Sequence, residues 1–202
     1  MASSVKTYPD WKAPTDDGEI LIWPDPRLKV KAKPVGTVDA TVRKLCDDLA
    51  ESMYEAHGVG LAAPQVGVAQ SIIAMDVEQK AAEGEPAPAK GKGLFWLIDP
   101  VLKFGEGEFA YTEGCLSIPE EYEEVVRFSR IVVEYTDRDG SRRQREASNS
   151  LLSVCIQHEM DHLQGKLFVD HLSALKRELI KRRMKKLKAQ REAERKGEAT
   201  AL

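Results

Sequence analysis

His158-Glu159-Met160-Asp161-His162 sets two imidazoles four residues apart with a carboxylate beside the first. On a helix, four residues make about one turn, so both rings face one side and can hold one metal ion. Such an ion lowers the pKa of bound water from 15.7 to roughly 7. Glu159 is then placed to take the proton as general base and return it as general acid, which is amide hydrolysis. Two histidines do not complete the centre, because catalytic zinc-type sites usually carry three protein ligands and an open position. Downstream stand Asp170, His171 and Glu178, and His171 does not fit the metzincin spacing. Upstream, Cys115 follows a glycine in Glu113-Gly114-Cys115-Leu116-Ser117, and a thiolate offered from a flexible loop or strand edge is the better third ligand. This Cys/His pair set accepts Zn(II), Fe(II), Co(II) or Ni(II), with the affinity order favouring the later metals over Fe(II). Cys155, three residues before His158, could instead close a four-ligand structural centre.

Several elements must position these residues. Val42, Leu45, Leu49 and Met53 recur at helical spacing and predict a helix over 38–54, ended near Gly58. Strands are expected over 71–77 and over 94–104, the latter broken at Asp99-Pro100. Alternating β-branched stretches at 123–128 and 130–136 lead through an Asp139-Gly140 turn into 142–147 as an antiparallel sheet. Asn149 is a good N-cap for the metal-binding helix, which should be buried and stop at Gly165. Ser173 can cap a long basic helix over 173–196, with Leu175, Leu179, Met184 and Leu187 as its apolar stripe. Residues 1–18 read as a loose lead-in and 81–93 as a surface loop. Strands followed by helices, without an internal repeat, indicate one α+β domain over 1–202.

Composition narrows the setting. With 42% hydrophobic and 31% charged residues among 202, the chain reads as ordinary globular protein. No window approaches the roughly 18 apolar residues of a membrane span, and residues 1–9 lack the apolar middle of a signal peptide, so a cytoplasmic protein is expected. Cys46, Cys115 and Cys155 are too few and too scattered for a disulfide framework. A net charge of −3 argues against DNA or membrane partners, yet residues 176–196 hold eleven lysines and arginines against three glutamates.

A third segment, Gly58-Val59-Gly60-Leu61-Ala62-Ala63-Pro64-Gln65, places small residues where a backbone must approach something closely. Together the three segments resemble peptide deformylase, whose signature runs G-x-G-x-A-A-x-Q, E-G-C-L-S and H-E-x-D-H in that order. The likeness extends over roughly residues 20 to 190. It implies the α+β deformylase fold, with the H-E-x-x-H helix enclosed by small antiparallel sheets. It also implies removal of the formyl group from the initiator methionine of nascent polypeptides, with Cys115, His158 and His162 holding Fe(II) in cells, and Zn(II), Ni(II) or Co(II) possible after purification. The Gln65 side chain and the Leu116 N–H would stabilise the oxyanion. Val59 and Gly60 would line the peptide, and Leu151, Val154 and Cys155 the methionine pocket. Glu113 and Arg127 read as an internal ion pair, beside the commoner fate of a solvated surface pair, and the basic helix reads either as a solvated face or, as the resemblance implies, as a docking element for ribosomal RNA.

The chain departs from the family in two places near this site. Many relatives carry an arginine shortly after the residues matching Ile118-Pro119, where this chain has Glu120-Glu121-Tyr122-Glu123, and Val126 stands where proline is frequent. Two competing functions use the same residues: a zinc peptidase cutting internal bonds, and a ribosome-associated module with a structural metal.

Overall fold

The computed structural model describes residues 20–79 and 91–200, so the 1–18 lead-in and positions 81–90 of the expected loop lie outside the described residues. Helix α1, Ala40–Glu55, begins where the Asp39 carboxylate accepts the Val42 N–H at 2.9 Å. Its stripe of Val42, Leu45, Leu49 and Met53 is buried, as the periodicity requires. Strands β1 (Gly60–Ala62), β2 (Ile72–Met75), β3 (Phe95–Glu106), β4 (Phe109–Cys115), β5 (Ile118–Arg127), β6 (Arg130–Thr136) and β7 (Arg142–Ser148) follow. Five form one antiparallel sheet in the order β1-β2-β3-β6-β7, and β4 pairs with β5 as a separate hairpin.

Strand period two sorts the sheet's side chains to opposite faces. Ile72, Ala74 and Ile98 pack on α1, whereas Ile73, Met75, Leu97, Ile131 and Val133 pack on helix α2, Leu151–Leu163. The metal-motif helix is thus buried beneath the sheet. A third cluster joins Ile118 and Val125 of the hairpin to Trp23, Leu28, Phe168, and Ile180 and Met184 of helix α3, Ala174–Thr200. The α+β class and the antiparallel sheets around the central helix are as expected.

Three local expectations change. Asp99-Pro100 does not split β3: the register against β6 shifts between Ile98 and Val101, and Asp99, at φ 50°, forms a bulge that keeps the strand continuous. Its carboxylate accepts the Val35 and Gly36 N–H groups, which repays the strained backbone. The cap of α2 is Ser150, not Asn149, because Ser150 and Ser153 exchange side-chain-to-backbone bonds while Asn149 turns the chain at φ 43°. On α3, Leu175 and Leu179 are exposed; the packed stripe is Ile180, Met184 and Leu187, spaced by four and three.

Asp25 ties this third cluster together, accepting the Arg27 N–H and guanidinium at about 3.0 Å and facing Lys188 of α3 at 3.5 Å. The Arg27 bond holds the Asp25 pKa at about 2, below its ordinary 3.8. A depressed folded-state value means stability that is present above the unfolded value and lost as pH falls through the folded one. The melting temperature is therefore expected to fall between about pH 4 and pH 2, and Asp25→Asn to flatten part of that fall when followed by circular dichroism.

Candidate active site

The β4–β5 hairpin delivers Cys115. Gly114 pairs with Tyr122 and Cys115 with Ile118, so Leu116 and Ser117 form the turn and residues 119–121 bulge from the ladder. Across from this turn, α2 presents His158 and His162 one turn apart, with ring centroids 5.1 Å apart. Ligand atoms of Cys115, His158 and His162 all lie within 4.8 Å of one another, and no other metal-capable cluster occurs among the described residues. Cys155 lies outside this set, so no fourth ligand closes it.

The donor set fits a divalent ion. His158 Nδ1 donates to Glu113 Oε2 at 2.7 Å, which leaves Nε2 with its lone pair for coordination. His162 Nε2 stands 3.3 Å from Cys115 Sγ. The Glu113 carboxylate is itself gripped by Arg127 at 2.6 and 2.9 Å, and Arg127 also reaches Asp161 at 2.6 Å, which accepts from His171. Burial pulls His158 down, but its bonds to Cys115 and Glu113 outweigh it, and the net shift is upward. Burial and the neighbouring His158 hold His162 well below the ordinary histidine range. Phe168 stacks on His158 with centroids 6.3 Å apart, fixing the ring plane.

Glu159 is buried beside the two rings, and its Oε2 has no hydrogen-bond partner. Burial pushes its pKa up to about 7, against the opposing field of His158. Gly60 explains part of its placement: a Cβ there would lie 2.6 Å from Glu159 Oε1. At Gly58 a Cβ would lie 2.6 Å from Leu116 Cδ1, so the two glycines of the first motif clear space for the carboxylate and for the ligand turn.

Gln65 is 1% exposed in the short helical turn Ala63–Val66. Its Oε1 accepts the Ala62 N–H at 2.8 Å, which orients its amide nitrogen toward Ser117 Oγ at 3.2 Å and Cys115 Sγ at 3.6 Å. A cleft of about 370 Å³ opens over these groups. Val59, Gly60, Gln65, Leu116, Leu151, Val154, Cys155 and Glu159 all line it, as do the ligands Cys115 and His158. His162 sits behind them, 1% exposed. Sequence reading gives no role to Ser117, Asp161 or Phe168, and weighs His171 only as a third ligand, which it is not. Asp161 carries a signal as the acidic residue inside the helix motif.

Comparison with known proteins identifies the family. The family model described as polypeptide deformylase matches residues 18–178. A peptide deformylase of Alkalilimnicola ehrlichii is 48% identical over 169 residues, covering 84% of this chain and 89% of the relative. Among solved structures, a peptide deformylase from Legionella pneumophila aligns with a TM-score of 0.76 at 40% identity, covering 86% of this chain and 96% of that one. One from Ehrlichia chaffeensis, solved in complex with actinonin, aligns with a TM-score of 0.74 at 37% identity, covering 83% and 95%.

Proposed function

The chain belongs to the polypeptide deformylase family, and from that membership we propose how its own residues divide the work of the reaction. It is a metal-dependent hydrolase that removes the N-formyl group from the initiator methionine of nascent polypeptides and releases formate. The observation that carries the assignment of residues is the convergence, at the floor of one cleft and just behind it, of the three ligand atoms, the unpartnered Glu159 carboxylate and the oriented Gln65 amide.

Cys115, His158 and His162 hold the ion, which when bound supplies Lewis acidity and brings the ionisation of water near neutral pH. Water adds to the formyl carbon, and Glu159 takes its proton on a carboxylate oxygen already desolvated for the purpose. Gln65 Nε2 and the Leu116 N–H donate to the oxygen that becomes negative. The C–N bond then breaks, Glu159 gives the proton to the departing amine, and formate and a free methionine N-terminus leave. Leu151, Val154 and Cys155 receive the methionine side chain, and Val59 and Gly60 flank the peptide. The thiolate ligand suits Fe(II) in cells, with Zn(II), Ni(II) or Co(II) able to replace it.

On α3, Lys176, Arg183 and Lys188 pair with Glu123, Glu121 and Asp25, while Lys181, Lys185 and Lys186 have no ion pair among the described residues. That remaining basic surface is our candidate for docking on ribosomal RNA, with an affinity that falls steeply as salt rises. Work on nascent polypeptides would set the enzyme in the cytoplasm; among the described residues, no helix is long and apolar enough to cross a membrane.

The test is formate release from formyl-Met-Ala-Ser by anaerobically prepared, iron-loaded protein, beside the acetylated peptide. Formate from the first and no cleavage of the second is expected. Internal cleavage of both would favour a peptidase, and no formate at full metal occupancy would overturn the reading.

A further inference from the structure

The cleft wall contains four glutamates and, among the described residues, no lysine or arginine. Three of the four are committed. Glu113 grips Arg127, Glu159 serves the chemistry, and Glu121 is held by the Arg183 guanidinium of α3. Glu120 is different: it is exposed, has no ion-pair partner among the described residues, and sits in the bulge at φ 65°, a backbone region that glutamate seldom occupies. Beside it Tyr122 is 70% exposed, so its ring face is open to a ligand. Its ring lies against Gly114, where a Cβ would come within 2.6 Å of Tyr122 Cε1, next to the ligand Cys115.

The depth of the cleft sets the order of the substrate. The formyl group belongs at Glu159 and Cys115, and the methionine side chain at the buried Val154 and Cys155. The rest of the peptide must then leave past the exposed rim. A formylated N-terminus carries no charge, so the side chains that follow methionine decide the electrostatic match. We propose that Glu120 and Tyr122 form a subsite that selects lysine or arginine in the residue after the formyl-methionine. The aliphatic stem lies along the phenol ring and the cationic head meets both the ring face and the Glu120 carboxylate. This specificity rests on the deformylase reading above.

The experiment compares kcat/KM for formate release from formyl-Met-Lys-Ala-Ser, formyl-Met-Gln-Ala-Ser and formyl-Met-Glu-Ala-Ser at low and high sodium chloride. The lysine peptide is expected to lead the glutamate peptide by about tenfold at low salt, through KM rather than kcat, with the gap shrinking as salt rises. Glu120→Gln and Tyr122→Ala should each narrow the lysine-to-glutamate ratio, and the double variant should bring it near one. Equal kcat/KM for the three peptides would overturn the proposal. So would a lysine preference that survives both substitutions, since the selecting charge would then lie elsewhere. Absence of formate from all three peptides would instead remove the deformylase reading on which the subsite depends.

Discussion

Replacing Glu159 by alanine is expected to lower kcat/KM for formate release by about 10²- to 10⁴-fold while the protein keeps its metal. At 1.36 kcal/mol per factor of ten, that is about 3 to 5 kcal/mol of transition-state stabilisation. The metal survives because Glu159 is not among the three converging ligands. Folding should not suffer either. The residue is 5% exposed, and one carboxylate oxygen has no partner, so the folded state bears an uncompensated polar group. The variant should therefore melt at the wild-type temperature or above it, the pattern of a residue kept for chemistry at a cost to stability. Metal analysis, calorimetry and formate assays on one preparation check all three statements. Unchanged turnover would remove Glu159 from the proton path.

Arg127→Met should act in the opposite sense, on stability first. The guanidinium makes two bonds to Glu113 and one to Asp161, with Arg127 and Glu113 side chains only 4% and 2% exposed. Burial costs Arg127 charge stabilisation, but the bonds to Glu113 and Asp161 more than restore it. Removing the cation strands a buried carboxylate, which typically destabilises by about 3 to 5 kcal/mol. For a chain of this length that is a fall in melting temperature of about 10 °C. Because Glu113 also orients His158, metal affinity should weaken by about 10- to 100-fold, read as faster loss to a chelator. Adding Glu113→Gln should recover part of the stability and none of the metal retention. If the single variant keeps both its melting temperature and its metal, the relay from guanidinium to ligand is not operating.

The sequence made the chemistry legible because three short motifs name atoms directly: a helical pair of imidazoles, a thiolate after glycine, and an amide after small residues. The helices α1 and α2 were equally legible, since each has one clear periodic stripe or a continuous apolar run. Other features escaped for identifiable reasons. The three residues of β1 are too few to show a period, and their burial comes from pairing with β2. A proline in β3 reads as a stop because the sequence does not reveal that a bulge will absorb it. The Ser150 cap depends on a bond returned by Ser153, which a single-residue preference for asparagine overlooks. Asp161 stands inside the helix motif, yet its bonds to Arg127 and to His171, ten residues further on, are set only by the fold. The apolar stripe of α3 was misplaced because Leu175 and Leu179 match helical spacing as well as Ile180 and Met184 do, and only the third cluster decides between them.

The bulge at residues 119–121 has a pharmacological consequence. It interrupts the ladder between Gly114 and Cys115, so the backbone around Glu120 is not bonded rung by rung to the strand that carries the ligand. Substitutions there can alter the rim without shifting the Cys115 sulfur. On the proposed assignment, an inhibitor held only at the Cys115, His158 and His162 centre and in the pocket of Leu151, Val154 and Cys155 would leave this rim untouched. If the proposed subsite operates, one extended by a cationic arm to Glu120 and Tyr122 would gain affinity here, and an arginine in place of Tyr122 would repel it. A single rim mutation would also be enough to abolish that gain.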